Sequence, residues 1–174
     1  MSRVREAADV RGEARRKSET AHFGRVAEMV YLKGAELGED HPDQKFKGRD
    51  VFLGDNVKDQ DFNFAVFEDL GSAPPSMEAA RVLDAVSLFP GYAQEQSDAT
   101  SAYTQSFLRG KPTWVSLPRE RWPKSWEGKY TNPVCPLILP LYGHPDAGTY
   151  WEAECAKHVL AAGFQVIDGW RSVF

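Results

Sequence analysis

The segment from Tyr92 to Gly110 constrains this chain more than any other. Tyr92 to Ser97 reads as a short strand, Asp98 ends it, and Ala99-Thr100-Ser101-Ala102 follows, with Tyr103 five positions beyond the aspartate. Small residues behind a strand-ending carboxylate predict a strand-to-helix turn, with a short helix over residues 100–108 and Gly110 behind its C-terminus. Eleven prolines and fourteen glycines fit the same expectation of a mixed α and β chain with many turns.

The rest of the chain supplies elements to surround that junction. Phe23 to Leu32 reads as a strand, residues 33–44 as a loop, and Phe46 to Leu53 as a returning strand, with Gly54-Asp55-Asn56 as a turn. Ser76 opens a predicted helix in which Met77, Ala80, Leu83 and Val86 recur at helical spacing, and Pro90-Gly91 ends it. Thr113 to Leu117 alternates as a strand does and stops at Pro118; residues 119–132 read as a long loop. Val134–Leu141 is an apolar run broken by Pro136 and Pro140. Asp146 or Thr149 would cap a helix carrying Tyr150, Trp151, Cys155, His158 and Val159 on one face, stopped by Gly163, and residues 164–166 begin another strand. Residues 1–19 are charged, with weak apolar spacing at Val4, Ala7, Ala8 and Ala14, and read as a solvated helix or arm. Residues 20–174 then form the domain proper.

Composition narrows the class. At 174 residues, 42% hydrophobic and 26% charged, the chain suits one domain or part of a larger one built around a core. A net charge of −4 argues against a free-standing nucleic-acid binder, although a basic groove can sit on an acidic molecule. Two cysteines, Cys135 and Cys155, make no disulfide framework; the charged start holds no signal-peptide pattern, and no run reaches membrane-spanning length. An intracellular location, cytoplasmic or nuclear, is expected. The end at Val173-Phe174 leaves the last predicted strand without a partner, and truncation is expected there.

Taken singly, the polar residues admit plain readings. Asp98 can be a strand-end cap, Tyr103 and Trp151 core residues, and Lys47 and Arg49 solvated strand residues. Cys135, His144, Cys155 and His158 supply zinc-ligand types, but their spacing is irregular, and Cys155 and His158 also fit one helical face. No nucleophile elbow or local Cys/His signature supports a hydrolase.

Taken in order, several segments resemble the reverse transcriptase domain of copia-type retroelements. Lys47-Gly48-Arg49 through Gly54 is similar to a fingers strand, and Ser97-Asp98 through Gly110 to motif A and its helix. Trp114 through Pro118, Val134-Cys135-Pro136-Leu137, Leu141-Tyr142-Gly143 and Trp151 are similar to the landmarks that follow. The resemblance covers roughly residues 20–174. It departs where Leu53 stands in place of an arginine and His144-Pro145-Asp146 in place of Leu-Lys-Gln, both with loss of positive charge.

The resemblance implies an α+β fold, the fingers and partial palm of a right-hand polymerase, and RNA-directed DNA synthesis on an RNA or DNA primer–template. Nucleotidyl transfer of this kind uses two Mg2+ ions to stabilise the attacking and leaving oxygens. Asp98 would be the catalytic carboxylate bridging the metals, with the backbone carbonyl of Ala99 as a further ligand. Lys47 and Arg49 would hold the β- and γ-phosphates of a dNTP, and the Ser101 and Ala102 amides its triphosphate oxygens. Tyr103 would exclude a ribose 2′-hydroxyl, and Tyr142 and Gly143 would line the pocket under the base. Such enzymes need two more aspartates in a Tyr/Phe-x-Asp-Asp hairpin, and these 174 residues hold no Asp-Asp pair. The expectation is therefore a fragment that does not polymerise by itself, its palm completed by a missing C-terminal part or a partner chain. The alternative is a non-catalytic retroelement remnant that binds nucleic acid or protein.

Overall fold

The structure is a computed structural model that describes residues 4–38, 41–67, 72 and 74–174. Of the segments read above, residues 1–3, 39 and 40 lie outside the described residues. The fold is α+β, with a five-stranded mixed sheet and three α-helices among the described residues. The strands are β1 (Arg5–Glu6), β2 (His22–Lys33), β3 (Lys45–Phe52), β4 (Thr113–Ser116) and β5 (Pro133–Pro136). The helices are α1 (Ala7–Lys17), α2 (Met77–Ser87) and α3 (Ala147–Ala161). Among the described residues no helix is long and apolar enough to cross a membrane.

The sheet runs β1-β5-β4-β2-β3. β2 pairs with β4 in parallel, in register from His22↔Thr113 to Arg25↔Ser116; β1/β5, β4/β5 and β2/β3 are antiparallel. The hairpin of β2 and β3 pairs Val26 with Phe52 at its base and Lys33 with Lys45 at its tip. Burial is confined to the base: residues 22–24 and Val26 are buried, whereas residues 45–50 are all exposed. The outer half is thus an arm whose free edge carries Lys45, Lys47, Arg49 and Asp50, charges that discourage another strand from pairing there.

Two cores flank the sheet, because successive strand residues point to opposite faces. On one face, α1 lays Ala7, Val10 and Ala14 against Ala21, Phe23 and Val134, with Trp114 packed alongside. On the other, Val26, Phe52, Val57 and Val115 form a cluster flanked by Phe67, Leu117, Leu137 and Leu141. Trp114 and Val115, adjacent in β4, divide between the two. Phe52 is 1% exposed, and its ring lies where a side chain at position 24 would be, so Gly24 is required beneath it.

Several expectations need correction. The solvated N-terminal helix buries one face in the core, and only its charged face is exposed. That face is tied down as well: Arg15 reaches Asp61 at 2.7 Å, and the Arg11 guanidinium stacks on Phe23 at 3.8 Å and Phe62 at 4.1 Å. The strand expected at 92–97 does not form, and residues 93–99 carry no regular secondary structure. The helix expected over 100–108 shrinks to a 3-10 turn, Ala102–Gln105. Residues 164–166 form no strand.

The expected α2 does form, with the Ser76 hydroxyl accepting the Ala79 N–H at 3.2 Å as its cap. Its buried residue is Ala79, while Leu83 stays half exposed. α3 starts at Asp146, which occupies the N-cap position without a side-chain capping bond.

Candidate functional site

Three of the residues singled out in the sequence come together at the base of the hairpin arm. β3 places Lys47 and Arg49 two positions apart, on one face of the strand. Arg49 pairs in register with Met29 and lies diagonal to Tyr31, within reach of a long side chain. Its guanidinium carbon sits 5.5 Å from the Tyr31 ring centroid and 5.3 Å from that of Tyr142. Tyr142 meets Tyr103 edge-on, with ring centroids 4.8 Å apart at 64°. A guanidinium flanked by two rings, with a third ring behind, joins four segments distant in sequence. Cation–π contacts of this kind contribute about 0.5–1 kcal/mol each where exposed.

The backbone sets the position of Tyr142. The Phe52 N–H donates to the Tyr142 carbonyl at 2.7 Å, and Val51 and Tyr142 form a parallel bridge. The chain then turns sharply at Gly143, with φ +88°, where a Cβ would overlap the carbonyl oxygen of Phe52. Gly143→Ala is therefore expected to destabilise the protein by about 1–3 kcal/mol and to detach Tyr142 from Arg49. Gly128→Ala serves as control, since Gly128 shares a positive φ of +69° but has open space where a Cβ would stand. Thermal unfolding of the two variants checks this: equal losses would sink the steric account.

The remaining candidates are arranged otherwise. Asp98 and Ala99 lie exposed on the irregular stretch rather than at the end of a strand. Ser101 adopts a left-handed conformation, φ 54°, and its carbonyl accepts both the N–H (3.0 Å) and the hydroxyl (2.9 Å) of Thr104. A four-residue 3-10 turn lacks the aligned dipoles of an α-helix, so the anion-binding role expected of the Ser101 and Ala102 amides loses its helical basis. Lys47 is exposed on the free edge of β3.

Among the described residues no group of three or more His, Cys, Asp or Glu side chains gathers to hold a metal. The four zinc-type residues go separate ways. His158 pairs with Glu154 on α3 at 3.1 Å, Cys135 packs against the second core, and its thiol is pushed up by burial.

The sequence reading missed a pair of buried histidines. His22, 3% exposed, and His144, 5% exposed, both contact Phe67 edge-on, at ring-centroid distances of 4.7 and 5.4 Å. Burial pushes His22 down, and it pushes His144 down to about 4, with His22 adding to that shift. His144 entered the sequence reading as a zinc candidate and as a departure from the resemblance, and His22 not at all. The available signal was His22 at the head of an apolar strand. Compared with protein-family models, curated proteins and solved structures, the chain matches none of them.

Proposed function

We propose that this chain is the fingers and partial palm of a right-hand polymerase of the copia reverse transcriptase type, a fragment of an RNA-directed DNA polymerase that does not synthesise DNA on its own. The observation that carries the reading is the contact of Arg49, Tyr142 and Tyr103. These residues were singled out from three separate landmarks, as a phosphate-holding cation, a base-pocket residue and a sugar-sensing ring. A nucleotide site needs all three functions within one nucleotide's span. Arg49 offers planar N–H donors suited to phosphate oxygens, and Lys47, two residues along the same strand, adds a second cation. In this reading Asp98 would hold Mg2+ together with carboxylates that these 174 residues do not contain.

A second reading has its own support. Asp98 stands exposed on an irregular segment and not at a strand end, an arrangement better suited to a non-catalytic module that binds nucleic acid or protein.

Binding and primer extension separate the two readings. The chain is expected to bind a labelled primer–template with an affinity that falls steeply with salt, as phosphate contacts do. Lys47→Ala with Arg49→Ala should weaken binding of a Mg2+-bound deoxynucleoside triphosphate about tenfold or more, a loss of roughly 1.4 kcal/mol or more. That triphosphate should bind better than its ribose counterpart, and Tyr103→Val should erase the difference. Primer–template binding without triphosphate discrimination would favour the binding module. No salt-sensitive binding would sink both nucleic-acid readings, and robust extension by this chain alone would overturn its assignment as an inactive fragment.

A further inference from the structure

We propose that the cavity between the start of β2 and the N-terminus of α3 is a binding site for a phosphate group, separate in its residues from the Arg49–Tyr142–Tyr103 array. The cavity has a volume of about 110 Å3 and is lined by His22, His144, Arg109, Lys111 and Asp146 among others. It exceeds what a single water needs, and its lining mixes these polar residues with the apolar Phe67 and Val66.

The argument starts from the His144 tautomer. Its Nδ1 accepts the backbone N–H of Asp146 at 3.2 Å, so the neutral ring carries its proton on Nε2. Among the described residues that buried Nε2–H has no hydrogen-bond partner, and neither has Nε2 of His22. Buried donors in folded proteins are nearly always satisfied, and an unsatisfied one calls for an acceptor. The His144 donor makes that demand, and a second ring nitrogen, more than nine-tenths buried, is left unpaired on the same cavity at His22.

The charges around the cavity say which acceptor suits it. Arg109 and Lys111 contribute two cations at the rim and Asp146 one carboxylate, leaving one positive charge while both imidazoles are neutral. The first turn of α3 adds the positive end of a fifteen-residue helix, where oxyanions bind by preference. The Tyr150 hydroxyl donates to the Arg109 carbonyl at 2.8 Å and pins the segment bearing both cations to α3. A cation is disfavoured by the rim, and a metal by the lack of a ligand group among the described residues. A phosphate oxygen would take the His144 Nε2–H, and the rim cations would take the outer oxygens.

Inorganic phosphate titrated into the full chain tests this, read from the imidazole resonances of His22 and His144 by NMR, with chloride at matched ionic strength as reference. Phosphate is expected to shift both histidines saturably, and chloride is not. Arg109→Ala with Lys111→Ala changes only exposed side chains and should weaken phosphate at least tenfold while leaving the unfolding temperature in place. His144→Gln should abolish the saturable shift at His22. A nucleoside monophosphate that binds tighter than inorganic phosphate would identify the source as a nucleotide, and one that binds no tighter would identify free phosphate. No saturable shift, or a shift that the double rim variant leaves unchanged, would overturn the proposal.

Discussion

Phe52→Ala is expected to lower the stability of the protein by about 3–5 kcal/mol, the range for deleting a fully buried aromatic ring. Phe52 is 1% exposed and is the largest member of the second core. Its surroundings leave little scope for collapse. Below it is Gly24, which has no side chain to move inward, and beside it the His144 ring, at 5.0 Å between centroids, is held through its Nδ1. The cavity would therefore persist, and residual cavity volume is what drives such losses to the upper end of their range. The effect should reach the candidate site, because the same residue's backbone N–H holds Tyr142. Urea unfolding of Phe52→Ala beside Phe46→Ala, whose ring is 78% exposed on the arm, checks the claim. A Phe52 loss under 1 kcal/mol, or one no larger than that of Phe46, would show that the core is not organised around Phe52.

The elements legible in the sequence were those whose signal is local. The hairpin of β2 and β3, the Ser76 cap of α2, β4 up to Pro118 and the helix before Gly163 all rest on alternation, caps or breakers within a few residues. The misreadings concern signals that depend on tertiary partners. Residues 92–97 read as a strand because they lead into Asp98, yet among the described residues no sheet edge receives them, and their polar sequence supplies little strand propensity. α1 looked solvated because charge dominates its composition, but Ala7, Val10 and Ala14 lie three and four positions apart, the spacing of a narrow helical stripe. Small residues give weak hydropathy while permitting close approach to Phe23 and Val134.

The candidate site was legible in part for the same reason. Arg49, Tyr103 and Tyr142 could each be picked from short patterns, but the contact between them depends on the Gly143 turn and the Phe52–Tyr142 bond. The buried histidines were illegible because nothing local marks a histidine as buried. His22 is covered by Phe67, forty-five residues away in sequence.

Those histidines make stability depend on pH in a window where few other groups titrate. In the folded chain His144 stays neutral down to about pH 4, whereas the unfolded chain takes up its proton near the ordinary value of 6.5. His22 is displaced in the same direction by burial, with the Lys111 charge adding to it and Asp59 opposing it. Unfolding therefore takes up protons between these values, and the unfolded state gains as pH falls. Stability is fully present above about pH 6.5, declines as pH drops toward 4, and receives no further loss from His144 below that. For His144 alone the decline over the whole window is on the order of 3 kcal/mol. Urea unfolding between pH 5 and 6.5, in a phosphate-free buffer, isolates the effect from most carboxylates. Replacing the imidazole by a ring that cannot titrate, His144→Phe, should flatten the slope by up to about 1.4 kcal/mol per pH unit, whatever it does to stability at pH 7. A His144→Phe slope equal to that of the parent would mean that His144 is charged or solvated in the folded protein. A solvated His144 would also lack the buried, unpaired Nε2–H on which the phosphate site depends.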